Sequence, residues 1–254
     1  MKNEKTKRII LTSSTVIISV AFTTVFFLTI SYLIPMITWS VPISRPFDRS
    51  AIISFSSDDG TSNEANTAII MRECGYRCTF YVASSNIGRS GYMTYDQLRQ
   101  LELDGFEIGS HGATHIKLTM LPLIDAIKEM TESKAILESQ GLHVNCFSFP
   151  YGSHNSTLDD IANRTYDYVR YNYTSLTNGV HELINQAVFN KDWINLVFHG
   201  VNPSGHILKD NQPTDLNLRE ILTYVAQSST PVLTQIQAHY LNQVEVSINT
   251  KMRT

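Results

Sequence analysis

From Ala51 onward the chain alternates between short apolar runs and longer stretches in which apolar residues recur at helical spacing. Ala51–Ser56, Cys78–Ala83, Glu107–Ser110 and Asn145–Phe149 are too short for helices and are bounded by turn formers. Each predicts a buried strand. Between them, Ser62 can cap a helix running to about Cys74, with Gly75 as its stop. Thr94-Tyr95-Asp96-Gln97 has the form of a capping box and opens a helix closed by Gly105. Pro122 starts a helix that ends at Gly141, with Leu123, Ile127, Met130, Lys134 and Leu137 at near-helical spacing. Ser156–Asn163 reads as helical. Tyr168–Tyr171, Asn195–Phe198 and Pro231–Thr234 are further strand candidates, with a helix from Thr214 to Ala226 between the last two. Strand–helix alternation implies parallel strands joined by right-handed crossovers. About seven such units predict an α/β fold, a distorted or incomplete (β/α) barrel rather than an open sheet.

The N-terminus follows a different pattern. Lys2, Lys5, Lys7 and Arg8 precede a stretch, Ile9 to Ser44, that has no charged side chain. As a helix, Ile9–Ile34 would be roughly 39 Å long, more than the hydrocarbon thickness of a bilayer. A basic flank before an apolar run predicts a cytoplasmic N-terminus and a single-pass membrane anchor through residues 9–34, with the rest outside. Secretion after signal cleavage is the alternative, but the nearest cleavage-like triplet, Thr38-Trp39-Ser40, is a poor match. Pro35 and Pro42 end the run. The expected organisation is a basic tail, anchor and linker over 1–45 and a catalytic domain over 46–254. The net charge of −3 argues against a nucleic-acid binder. Cys74, Cys78 and Cys146 are too few for a disulfide framework.

Several polar clusters follow these strands. Ser57-Asp58-Asp59-Gly60 follows the first. His111 and His115, four residues apart and so on one side of a helical turn, follow the third. Phe149-Pro150-Tyr151-Gly152 follows the fourth, and His199 follows a late strand. If the strands share one barrel, the clusters share one of its edges. One carboxylate with two histidines makes a facial triad suited to Zn2+ or another divalent ion. A second carboxylate as base and a separate histidine as acid complete the parts that metal-assisted hydrolysis needs.

Over about residues 50–240 the chain resembles the polysaccharide deacetylases of carbohydrate esterase family four. The motifs are Ser56-Ser57-Asp58-Asp59-Gly60, where members carry Thr-Phe-Asp-Asp-Gly, and His111-Gly112-Ala113-Thr114-His115, where they carry His-Ser/Thr-x-x-His. Met93–Leu98, Gly105–Ser110 and Ser133–Glu138 look like the segments flanking the second motif. The resemblance implies Asp58 as general base, with Asp59, His111 and His115 as ligands of one divalent ion, Zn2+ being the expected one. It implies a backbone N–H from Tyr151, after Pro150, for the oxyanion. His199 would be general acid, and Leu196 and Val197 would line the acetyl pocket. The implied reaction removes N-acetyl or O-acetyl groups from a cell-surface or extracellular glycan, with metal-bound water as nucleophile.

The chain departs from the family at three places. Ser148 and Phe149 stand where many members have an arginine that steers the catalytic aspartate; Arg170, at the end of the next strand, is a candidate replacement. Asp192-Trp193 lies too near His199 to be assigned to the family's Asp-Trp motif. Gly112 replaces the usual hydroxyl residue. The missing arginine keeps open a membrane-tethered carbohydrate-binding protein without turnover. A hydrolase of a small non-peptide amide on the same fold is a further alternative.

Overall fold

The computed structural model describes residues 50–176 and 178–251. The basic tail, the expected anchor at Ile9–Ile34 and the linker lie outside them. Among the described residues no helix is long and apolar enough to cross a membrane. In chain order come β1 (Ile52–Asp59), α1 (Glu64–Glu73), β2 (Thr79–Val82), α2 (Tyr95–Leu103) and β3 (Glu107–Ser110). Next are α3 (Leu123–Ser139), β4 (Cys146–Ser148), α4 (Ser156–Thr165), β5 (Tyr168–Arg170) and β6 (Thr174–Ser175). Last are α5 (Val180–Asn190), β7 (Trp193–Phe198), β8 (His206–Lys209), β9 (Gln212–Asn217), α6 (Leu218–Ser228) and α7 (Gln235–Lys251).

Seven strands form one parallel sheet in the order β5-β4-β3-β2-β1-β7-β6. Arg170 on β5 and Asp58 on β1 show that the sheet is curled. Four strand spacings in a flat sheet come to ~19 Å, yet the two side chains meet at 2.5 and 2.9 Å. The edge strands β5 and β6 are separated by Tyr171–Tyr173 alone. Both run parallel to the rest, so they act as one bent strand whose first half pairs with β4 and second half with β7. Below the bend, side chains fill the gap. The Trp193 ring lies 5.4 Å from that of Tyr168, and Asn195 donates to the carbonyl of Asn172 at 3.2 Å. The result is the incomplete (β/α) barrel that the alternation predicts.

Alternation along β1 separates two environments. Ile53 and Phe55 face the helices and join the hydrophobic core with Phe80, Ile108, Phe147, Met71, Met130 and Ile184. Ser54, Ser56 and Asp58 face the barrel interior, which is polar. Glu107 near its lower end accepts from the Thr79 hydroxyl at 2.5 Å and from the Ile236 N–H at the start of α7 at 3.2 Å. Burial pushes the Glu107 carboxyl above its ordinary pKa, and these donors oppose the rise.

Some elements differ from the sequence reading. Pro231–Thr234 is not a strand of the sheet; only Val232 bridges to Ile53. The seventh strand is β6, two residues long and invisible to periodicity. Thr214–Asn217 belongs to the β8–β9 hairpin, so the helix expected from Thr214 begins at Leu218. The hairpin had a signal in Asp210-Asn211, whose φ values of 50° and 61° suit a tight turn. Ser62 does not cap α1, whose N-cap is Asn63 without a side-chain bond. The Thr94–Gln97 capping box is present. The three cysteines are free.

Gly109 gives a direct test of the interior packing. A Cβ there would lie 2.6 Å from the Tyr81 ring and 2.7 Å from the Cys146 Sγ. Gly109→Ala is expected to destabilise the fold by about 1–3 kcal/mol, the usual cost of overpacking, as read by urea unfolding. An unchanged unfolding midpoint would contradict this packing.

Candidate metal and catalytic site

The site is built on the C-terminal edge of the barrel. β1 ends in two adjacent aspartates that point to different partners. Asp58 is buried, and its carboxylate is held by the Arg170 guanidinium through Nη1 to Oδ1 at 2.9 Å and Nη2 to Oδ2 at 2.5 Å. The same guanidinium donates to Ser56 Oγ at 2.7 Å and Ser148 Oγ at 2.6 Å, and it lies over the Tyr81 and Tyr173 rings at 4.6 and 5.0 Å. Burial works to raise the Asp58 pKa, but the Arg170 charge and hydrogen bonds hold it below the ordinary carboxylate value. Asp58 is therefore ionised at neutral pH.

Asp59 takes a left-handed backbone, φ 90°, and Gly60 follows at φ 77°. This turn sends the Asp59 side chain away from Arg170. Its Oδ1 lies 3.0 Å from His115 Nε2 and 3.8 Å from His111 Nε2. These three ligand atoms lie within 4.8 Å of one another. The histidines do not share a helical turn, contrary to the simplest reading of their spacing. They sit on a loop with Gly112 at φ 76° and His115 at φ 58°. Gly112 fits where the usual hydroxyl residue would be strained. A Cβ there would also come within 3.3 Å of Glu129 Oε2 and 3.5 Å of Pro150.

The donor set fits a divalent ion. His111 Nδ1 is 2.7 Å from the Ser148 carbonyl, which can only accept, so Nδ1 carries the proton and Nε2 keeps its lone pair for a ligand. Asp59 Oδ1 is buried and faces the Nε2 atoms of His115 and His111. That is the state of a ligand oxygen turned toward a cation.

The remaining expected residues fall around this centre. His199 follows β7 and is exposed, and its positive form would favour ionisation of both Asp58 and Asp59. Its loop is tied to β1 by the Gly200 N–H, which donates to Ser57 Oγ at 2.9 Å. Pro150 is buried. Tyr151 is 61% exposed, takes φ 58°, and places its ring 4.7 Å from that of His115. Val197 pairs in register with Ser56 and so faces the interior. Leu196 pairs with Phe55 and belongs to the hydrophobic core, so its side chain is not placed to line a pocket on the interior side. Ser148, Glu64 and Glu129 were missed as contributors. Their residue types carry no local signal, since each acts on a loop or strand distant in sequence or on the backbone.

Burial pushes the His111 imidazole from the ordinary 6.5 down to about 4, against the pull of Asp58. As pH falls, the unfolded chain takes up this proton first. The stabilisation is therefore full above about pH 6.5 and is lost as the pH drops toward 4. The loss is roughly 3 kcal/mol for a group this buried. Asp58 contributes in the same sense only at lower pH, because its pKa in the fold lies below the unfolded value of 3.8. In the metal-free full chain, His111→Asn should remove this contribution, so the difference in unfolding free energy between wild type and variant should change between pH 7 and 4.5. Superimposable pH profiles for the two proteins would count against a buried neutral imidazole.

Comparison with known proteins adds a family. The family model described as polysaccharide deacetylase matches residues 47–187. The protein YxkH of Bacillus subtilis (strain 168) is 25% identical over 123 residues, 48% of this chain and 43% of that protein. A gellan lyase of a Bacillus species is 25% identical over 205 residues, 64% of this chain and 8% of that protein. The chain thus spans less than half the length of either relative. Two solved structures are similar in fold. One is the Xyl-CE4 domain of a multidomain xylanase from the hindgut metagenome of Trinervitermes trinervoides, with TM-score 0.60 and 19% identity over 76% of this chain and 92% of that one. The other is the peptidoglycan deacetylase PdaC of Bacillus subtilis, with TM-score 0.56 and 16% identity over 82% and 98%. With more than half of its residues matched by the family model and its aspartates and histidines converging on one barrel edge, the chain belongs to the polysaccharide deacetylase family.

Proposed function

We propose that the chain is a metal-dependent hydrolase that removes acetyl groups, N-linked or O-linked, from an extracellular or cell-surface glycan. One observation carries this reading. The adjacent aspartates are divided between two tasks, Asp58 being locked to Arg170 while Asp59 converges with His111 and His115. A binding protein has no need of that division. The arginine absent before the Pro-Tyr-Gly turn was the reason to weigh a binder, and the guanidinium of Arg170 meets the same need from β5.

Asp59, His111 and His115 would hold the ion, with Zn2+ as the expected occupant. When bound, it would supply a Lewis acid for the acetyl carbonyl and for the attacking water. Asp58 takes the proton from that water. Arg170 occupies one lone pair on each Asp58 oxygen, and the remaining lone pairs are free to accept. The two-pronged grip fixes the direction in which they point. The Tyr151 backbone N–H is assigned to the developing oxyanion. His199, exposed at the end of β7, donates a proton to the departing amine or alcohol. Val197 shares the interior face with Ser56 and is assigned to the acetyl pocket. The apolar run Ile9–Ile34 is the basis for proposing a single-pass anchor with the enzyme outside. Protease added to intact cells should then degrade the domain, and protection would rule that placement out.

The central test is acetate release from acetylated chitin oligomers, peptidoglycan and other acetylated glycans. Asp58→Asn should lower turnover by about 10²–10⁴-fold while leaving the metal content of the purified full chain largely intact. His111→Ala combined with His115→Ala should remove metal and activity together. Full metal content in that double variant would refute the ligand set. Tight glycan binding with no acetate release from any substrate, unaffected by Asp58→Asn, would make the domain a binding protein instead.

A further inference from the structure

Two acidic side chains outside this machinery turn back onto the loops that carry the ligands. Glu64, in the first turn of α1, is fully buried, and its Oε1 accepts from the backbone N–H of Gly60 at 2.9 Å and of Thr61 at 3.2 Å. Glu129, on α3, accepts from the N–H of Ala113 and Thr114 at Oε2, at 2.9 and 2.8 Å, and from the Thr114 hydroxyl at Oε1, at 2.6 Å. Each acid lies on the helix next after a ligand loop and bonds that loop's backbone. The two loops hold the left-handed residues of the ligand motifs, Asp59 and Gly60 in one, Gly112 and His115 in the other.

A side-chain-bearing residue at positive φ persists only where its surroundings over-determine the backbone. Asp59 and His115 are two such residues, and both are assigned as ligands. Relaxation of either turn toward ordinary backbone angles would redirect that ligand away from the other two. Several hydrogen bonds from one loop to a single side chain fix its direction as well as its distance. Ser133 reinforces the second loop by donating to the Gly112 carbonyl at 2.9 Å.

We propose that Glu64 and Glu129 are positioning residues for the metal, clamping the two ligand loops in the left-handed turns that bring Asp59 and His115 onto one ion. This rests on the ligand set proposed above. The competing physical account is that the two acids act through negative charge near a cation rather than through the geometry of the loops.

Zn2+ affinity of the metal-stripped full chain, measured by competition with a chromogenic chelator, separates these accounts. Glu64→Gln and Glu129→Gln keep the reach and an acceptor oxygen, so they should bind close to wild type. Glu64→Asp and Glu129→Asp keep the carboxyl group but fall one methylene short. They should lose affinity like the alanine variants, by about 10–100-fold, the usual effect of removing a group that orients a ligand. If an alanine variant fails to fold, the Gln and Asp pair still decides. Wild-type affinity in the Ala and Asp variants would overturn the proposal, as would Asp variants that bind normally while Gln variants do not. A wild type that binds no Zn2+ would refute the ligand set itself and the clamps with it, a failure visible before any variant is compared.

Discussion

The ion pair between Arg170 and Asp58 is the interaction on which the rest of the site depends. It spans the barrel from β5 to β1, between residues 112 positions apart in the chain, and both side chains are almost fully removed from water. A buried carboxylate and a buried guanidinium are each costly alone, and removing one partner from such a pair typically destabilises a fold by about 3–5 kcal/mol. The pair is formed here with two parallel hydrogen bonds and two serine hydroxyls that take up further guanidinium N–H groups. It requires that the sheet be curled, because a flat sheet would keep the partners far apart. It also holds Asp58 ionised and facing inward, leaving Asp59 as the aspartate available for an ion.

The surrounding interior follows from that requirement. Ser54, Ser56, Tyr81 and Tyr168 line a barrel that a purely apolar layer would otherwise fill, and Gly109 is kept small so that the Tyr81 ring can lie beneath the guanidinium. Ser148 serves both halves of the site. Its hydroxyl accepts from Arg170 and its carbonyl accepts from His111, so the group that supports the base and the group that fixes the ligand tautomer are one residue. The hydrophobic core sits on the other side of the sheet, between strands and helices, and supplies the stability against which these polar arrangements and strained turns are held.

Alternating apolar runs, the Thr94–Gln97 capping box and the glycines that end helices act over a few residues, so the α/β alternation and most element boundaries were legible in the sequence by itself. The Asp58-Asp59 and His111–His115 motifs were equally legible as chemistry, since metal ligation and proton transfer demand those residue types. Only the tertiary structure decided how they are used. No local pattern says that the two histidines meet on a left-handed loop rather than a helical turn, because that turn is held by Glu129 from the following helix. The two residues of β6 became a strand because β7 pairs with them, and Leu196 was assigned to the core by its register with Phe55. Arg170 could be named from the sequence only as a candidate. Its partnership with Asp58 is set by barrel curvature, a property of the whole sheet that no stretch of residues carries alone.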